Sequence, residues 1–191
     1  KPTGLTFDQN QIDSINKKNE IFKADITLLN KNLDEIDELD QEKYDVIINT
    51  ENIEHVVNDV DLISKMSNVL NERGFVYFTT PNWFAKPASK HDHGPFLLDR
   101  QDGGHVRRGY TLIWLEDLFV SNNLLVVEKG YISGPASILL LGLCRMIPGF
   151  ITPIFKLITI PLTLIFNFID RVFFKDNKSS ASVYFILQKK H

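Results

Sequence analysis

The chain has 191 residues, 43% of them hydrophobic, a formal net charge of −3 and a pI near 6.0. That composition belongs to a globular chain rather than a disordered one, and it lacks the basic excess of a nucleic-acid binder. Cys144 is the only cysteine, which excludes an internal disulfide and a cysteine-based zinc cluster, so a reducing cytoplasm is the expected setting.

Residues 3–7 (TGLTF) read as a short strand, followed by a helix in which Asp8 is the cap and Ile12 and Ile15 share one face. EIFKAD (20–25) reads as a second strand ending in an acid, and KNLDEIDELDQEK (31–43) as a loop with a helical turn. YDVIINT (44–50) is a continuous apolar run of strand length, the pattern of a strand covered on both faces. Over 59–74, Leu62, Ile63, Met66, Val69 and Leu70 recur at helical spacing, with Asp59 or Asp61 at the start and Gly74 as the stop. FVYFTTPN (75–82) is a strand ended by Pro81. An irregular polar stretch (83–109), a helix (111–123), a strand (124–132), an apolar block (136–174) and a last strand (180–190) complete the chain.

This alternation predicts an α/β sandwich with a mainly parallel sheet. Ligands of such sheets bind at the carboxyl ends of the strands. The polar crowd Asn49, Thr50, Glu51, Glu54 and His55 falls at one of those ends.

GLTFDQNQIDSINKKN, KAD, YDVIINTENIEHV and VLNERGFVYFTTPN, in that order, resemble consecutive motifs of the class I S-adenosylmethionine-dependent methyltransferases. The resemblance covers about residues 4–132 and the last strand, with Arg73–Gly74 where the family has a glycine pair. It implies a Rossmann-like methyltransferase sandwich with S-adenosylmethionine as cofactor. Thr6, Phe7 and Asp8 then lie by the cofactor ribose, Thr6 standing where the family often has an acid, and Asp8 serving there or as a helix cap. Asp25 and the Ile26 backbone N–H lie by the adenine, unless Asp25 merely caps a turn. Asn49 and Thr50 lie along the methionine part. His55 is a candidate base, since an imidazole exchanges its proton near neutrality; a structural role is the alternative. No Gly-x-Gly precedes Gly4, where the family's glycine-rich loop belongs. With no N-terminal signal pattern and an opening that reads like the inside of a domain, the expectation is a chain whose first strand is missing.

Within HDHGPFLLDRQDGGHVRRGYT (91–111), His91, Asp92, His93, Asp102, His105, Arg107 and Arg108 gather around glycines. His91-Asp92-His93 has no third ligand at a set spacing, which is weak as a metal pattern. His93, Arg107 and Arg108 are read as contacts for a sugar or phosphate, and His105 as a second candidate base. Related methyltransferases carry a GHVR stretch leading into the same helix, so a structural reading with Thr111 as helix cap also holds.

The block 136–175 is read as an apolar helical insert in a core made of 1–135 and 176–191. Pro148, Pro153 and Pro161 break it and Lys156 interrupts it, so a spanning helix is disfavoured. Short helices returning as a hairpin and lying in a membrane interface through 146–169 fit better, with Arg145, Lys156, Arg171 and Lys175 toward anionic headgroups; packing on the sheet or a homo-oligomer contact is the alternative. The composite expectation is a cytoplasmic enzyme, peripheral on the inner membrane face, that O-methylates a glycan or lipid-linked sugar. A non-catalytic membrane-docking module on a degenerate methyltransferase scaffold, or a sugar-nucleotide transferase, would be the competing classes.

Overall fold

The computed structural model describes residues 2–6, 8–32, 35, 36, 39, 43–86, 94–97, 104–145 and 152–190. In chain order the elements are β1 (Thr3–Thr6), α1 (Gln9–Phe22), β2 (Thr27–Asn30), β3 (Tyr44–Thr50), a 3-10 turn (Ile53–His55), α2 (Asp59–Val69) and β4 (Leu70–Pro81). There follow α3 (Leu112–Ser121), β5 (Leu124–Ile132), α4 (Pro135–Arg145), α5 (Thr152–Phe173) and β6 (Ser182–Lys189).

The described strands fall into two sheets, β1–β2 and β3–β4–β6–β5. β1 and β2 are parallel, as are β3 and β4, while β6 runs antiparallel to both β4 and β5. In the larger sheet β3, β4 and β5 therefore point one way and β6 alone is reversed. This is the expected α/β, Rossmann-like class with a mainly parallel direction, divided in two.

The core lies on one face of the larger sheet. Leu62, Ile63, Met66 and Val69 of α2 and Leu115 and Phe119 of α3 are almost fully buried, in one cluster with Val76, Phe78, Val183, Phe185 and Leu187. Each such side chain contributes roughly 1.5–3 kcal/mol by leaving water. Phe119 sits edge-on between Phe78 and Phe185, its ring centroid 5.0 Å from each.

Three sequence expectations are corrected. EIFKAD is not a strand: α1 continues to Phe22, and Lys23 takes a left-handed cap (φ 51) whose N–H bonds to Asn19 O. Ile21 and Phe22 are exposed, so their hydrophobicity imitated a strand that the core never covers. β3 is covered on one face only, with Ile47 and Asn49 toward the helices and Val46 and Ile48 58% and 72% exposed; a continuous apolar run does not say how many faces are buried. α2 ends at Val69 rather than at Gly74. Leu70 is already extended and pairs with Tyr44, and Arg73 takes the left-handed turn at φ 62.

The apolar insert is a helical hairpin joining two strands that pair with each other, β5 and β6. The carboxylate of Asp170 in α5, 6% exposed, accepts the Ala136 and Ser137 N–H groups at the start of α4, both at 2.9 Å. Gly134 makes room, since a Cβ there would lie 2.6 Å from an Asp170 oxygen. The expected short broken helices are corrected too: α5 is one helix of 22 residues with Pro161 inside it. Pro153 falls in its first turn, where a missing N–H has no consequence. Among the described residues no helix is long and apolar enough to cross a membrane.

Replacing Asp170 with Ala removes a buried cap and is expected to cost about 1–2 kcal/mol. Hydrogen exchange at the Ala136 and Ser137 amides should accelerate selectively, while exchange in β4 and β6 stays as it was.

Candidate functional site at the strand tips

β3 ends at Thr50, and the chain reverses through Glu51, a non-glycine residue at φ 51. Its N–H still bonds to Thr79 O at 2.9 Å, so the turn is pinned to the tip of β4. A left-handed non-glycine conformation of this kind costs free energy and persists only because the surrounding hydrogen bonds hold it. Burial pushes the Glu51 carboxyl above its usual range, opposed by hydrogen bonds from Thr79 and Ser182 and by the nearby His55.

The 3-10 turn then places Glu54 inward and His55 outward. Glu54 is 1% exposed and accepts the Thr80 hydroxyl at 3.1 Å. His55 Nε2 lies 3.7 Å from a Glu54 oxygen. The Glu54 backbone carbonyl accepts the Val106 N–H at 2.9 Å, which draws the 104–108 segment onto this turn. His105 consequently meets His55 edge to face, with ring centroids 4.7 Å apart. Ligand-capable atoms of Glu54, His55 and His105 all lie within 4.8 Å of one another.

The two predicted catalytic histidines are thus brought together. The arginines behave differently. Arg107 pairs with the carboxylate of Asp59 at the start of α2 and donates to the Val56 and Val57 carbonyls at 2.9 and 2.8 Å. Tyr110, buried, donates to the same Asp59 at 3.0 Å, and the Arg107 guanidinium lies 5.5 Å from its ring centroid. Burial drives the Tyr110 phenol well above its ordinary range, Arg107 opposing and Asp59 adding to the shift. Arg108 donates to Ala85 O at 2.8 Å and sits over Trp83. The expectation that Arg107 contacts a substrate is therefore corrected, because its fork is already occupied by Asp59 and two carbonyls. Arg108 is likewise engaged in holding the turn after β4.

At the smaller sheet, Thr6 and Asn30 are the paired carboxyl tips of β1 and β2. The Thr6 hydroxyl accepts from Asp8 N–H at 3.2 Å and bonds to Gln11, while Asn30 approaches Gln9 at 3.5 Å. Asp8 caps α1 through one carboxylate oxygen, accepting the Asn10 N–H at 2.9 Å. Asp25 is at the other end: it precedes Thr27, which pairs with Thr3, so it lies at the amino side of β2. Its expected place beside the adenine is a correction that follows from the misread strand, and Ile26, whose carbonyl accepts from Asn19, goes with it. Asn49 is buried, with its amide against Met66 S and Asn52, whereas Thr50 is exposed. Phe7 and His93, with His91, Asp92 and Asp102, lie outside the described residues. Sequence reasoning placed Glu51 at the β3 tip without giving it a role, and it missed Asn30 as a tip residue and Asp59 as the partner of Arg107. The ENIEH string signalled Glu51; nothing local signalled Asp59.

The chain's first 78 residues match the family profile of the methyltransferase domain. Among solved structures, one described as a sarcosine dimethylglycine methyltransferase of Galdieria sulphuraria superposes with a TM-score of 0.61 at 16% identity, over 98% of this chain and 68% of that one. An S-adenosylmethionine-dependent methyltransferase of Clostridium acetobutylicum gives 0.58 at 11% identity, over 100% of this chain and 76% of that one. The O-methyltransferase of a Brevibacillus brevis polyketide synthase multienzyme, in complex with S-adenosyl-L-homocysteine, gives 0.53 at 18% identity, over 98% of this chain and 58% of that one. A search of curated proteins finds no match. At these identities the likeness is one of fold.

Arg107→Ala leaves the Asp59 carboxylate buried without its cation, with only the Tyr110 hydroxyl and the Val60 N–H still donating to it, and is expected to cost about 3 kcal/mol. Arg107→Lys should recover only part of this, because an ammonium cannot reproduce the fork. Urea unfolding midpoints of the two variants against the parent test this.

Proposed function

We propose that the chain is a class I S-adenosylmethionine-dependent methyltransferase that methylates an oxygen of a glycan or lipid-linked sugar at the cytoplasmic face of a membrane; the methyltransferase-domain match over residues 1–78 and the shared fold support the first part of this reading. The cofactor, when bound, supplies an electrophilic methyl group on a sulfonium. The observation that carries the choice of oxygen is the His55–His105 contact beside buried Glu54. A neutral amine already presents a lone pair, whereas a hydroxyl must lose its proton as it attacks. An imidazole pair at the strand tip answers that need, with His55 or His105 taking the proton.

The donor set at the β1 and β2 tips fits an adenosyl group in chemistry: the Thr6 hydroxyl, the Gln9 and Asn30 carboxamides and the second oxygen of Asp8 can meet ribose hydroxyls and an adenine edge. Exposed Thr50 stands at the tip of the neighbouring sheet. None of these places a cation against the sulfonium.

The membrane part of the proposal is supported by α5. Ile160, Leu164, Ile165, Phe168 and Val172 are all more than half exposed on one helix, and exposed Arg171 and Lys175 flank its end. An apolar stripe edged by cations is what an anionic lipid surface binds. The part of 146–169 formed by 146–151 lies outside the described residues.

Calorimetry of S-adenosylhomocysteine binding tests the cofactor site. Thr6→Val and Asn30→Ala should each weaken binding by roughly 0.5–1.5 kcal/mol per lost hydrogen bond, while Asp25→Ala leaves it unchanged. A parent protein that folds and does not bind would favour the non-catalytic docking module. For the surface, Leu164→Glu with Phe168→Glu should abolish co-sedimentation with anionic vesicles and leave the unfolding midpoint in place. Sedimentation that survives the double substitution removes the membrane from the proposal.

A further inference from the structure

We propose that Glu54, His55 and His105 hold a divalent transition-metal cation in front of the cofactor site. This rests on the methyl-transfer reading for what the cation does, though not for whether it binds.

Two imidazoles and one carboxylate converge here from two separate segments, the turn after β3 and the loop before α3. Their ligand atoms lie within 4.8 Å of each other, with the Glu54–His55 pair at 3.7 Å. Ligands bound at about 2.0–2.2 Å around one cation are separated by about 3–3.6 Å at right or tetrahedral angles. Side-chain rotations of an ångström or so close the set. The carboxylate is fixed from behind by the Thr80 hydroxyl, the kind of outer contact that orients a metal ligand.

The donor set selects the cation. Two nitrogens exclude the all-oxygen preference of calcium and magnesium and suit zinc, cobalt, nickel or iron(II). Three protein ligands leave coordination positions open, as catalytic sites do and structural sites do not. An acceptor hydroxyl bound at an open position would release its proton to water near neutral pH, because the cation stabilises the alkoxide. His55 and His105 would then act on the acceptor through the cation rather than as free bases.

The test is a titration of metal-stripped protein with cobalt(II), followed by its visible d–d absorption, beside S-adenosylhomocysteine calorimetry on the same sample. The expected result is one cobalt per chain, displaced by zinc. The band should be lost in His55→Ala and in His105→Ala, each retaining the parent circular dichroism, and kept in His91→Ala with His93→Ala. Glu54→Gln should weaken the band, with the unfolding midpoint reporting any loss of the Thr80 contact separately. No saturable cobalt binding by folded parent protein overturns the proposal, as does a band indifferent to both single histidine changes. Cofactor binding without cobalt binding rejects the metal alone, and cobalt binding without cofactor binding rejects the methyl-transfer reading alone.

Discussion

A side chain at position 109 has no room. Gly109 has φ 146, and a Cβ there would lie 2.4 Å from the Pro81 carbonyl oxygen. The close approach lets the loop before α3 run beside the end of β4 like a short extra strand, with Tyr110 N–H on Pro81 O at 2.9 Å and Trp83 N–H on Tyr110 O at 3.0 Å. From that track Arg107 reaches Asp59, Val106 reaches the Glu54 carbonyl, and His105 reaches His55. The candidate chemistry therefore depends on a backbone contact between groups that have no chemistry of their own.

Polar residues around the tips divide by what already satisfies them. Asn82 is buried and gives its amide to the Lys178 and Ser180 carbonyls, both at 2.8 Å, while its own N–H bonds to Ala181 O. Asn49 faces the core, and Arg107 and Arg108 grip carbonyls and a carboxylate. These side chains shape the cleft as a frame, since buried polar groups are costly unless paired. Glu51 and His55 differ in keeping exposed surface on the turn after β3, which Glu51 opens in an unfavourable left-handed conformation, and half-buried His105 meets His55 from the loop before α3.

What the sequence revealed follows physical range. The spacing of Leu62, Ile63, Met66 and Val69 is a local property, and α2 appears where that spacing puts it, just as Asp8 and Thr111 cap α1 and α3. Boundaries set by long-range pairing were not legible: Leu70 leaves the helix because Tyr44, far upstream, takes it into a strand. β2 is four residues long and its pairing with β1 depends on the Lys23 reversal, so the acid at 25 was assigned to the wrong end of the wrong segment. At the site, the residue types in ENIEHV and GHVRR were readable. That one arginine would close on Asp59 while the neighbouring histidine met His55 was not, because it requires knowing which backbone groups the fold leaves open.

The hairpin's point of departure connects the proposed surface to the site. β5 runs in the same direction as β3 and β4, so Ile132, where α4 begins to lift away, lies at the end of the sheet that carries Thr50 and Pro81. Ser182, where the chain returns, pairs with both Ile132 and Pro81, and its hydroxyl is 3.4 Å from the Glu51 carboxylate. Ser133 O holds Ala181 N–H at 2.9 Å, and Ala181 O in turn holds Asn82. The base of the hairpin and the wall of the cleft thus share backbone hydrogen bonds. Under the proposed function, a lipid surface against α5 would lie near the strand ends that carry the imidazoles. An insert at the opposite end of the strands would have left the same apolar helix far from Glu51 and His55.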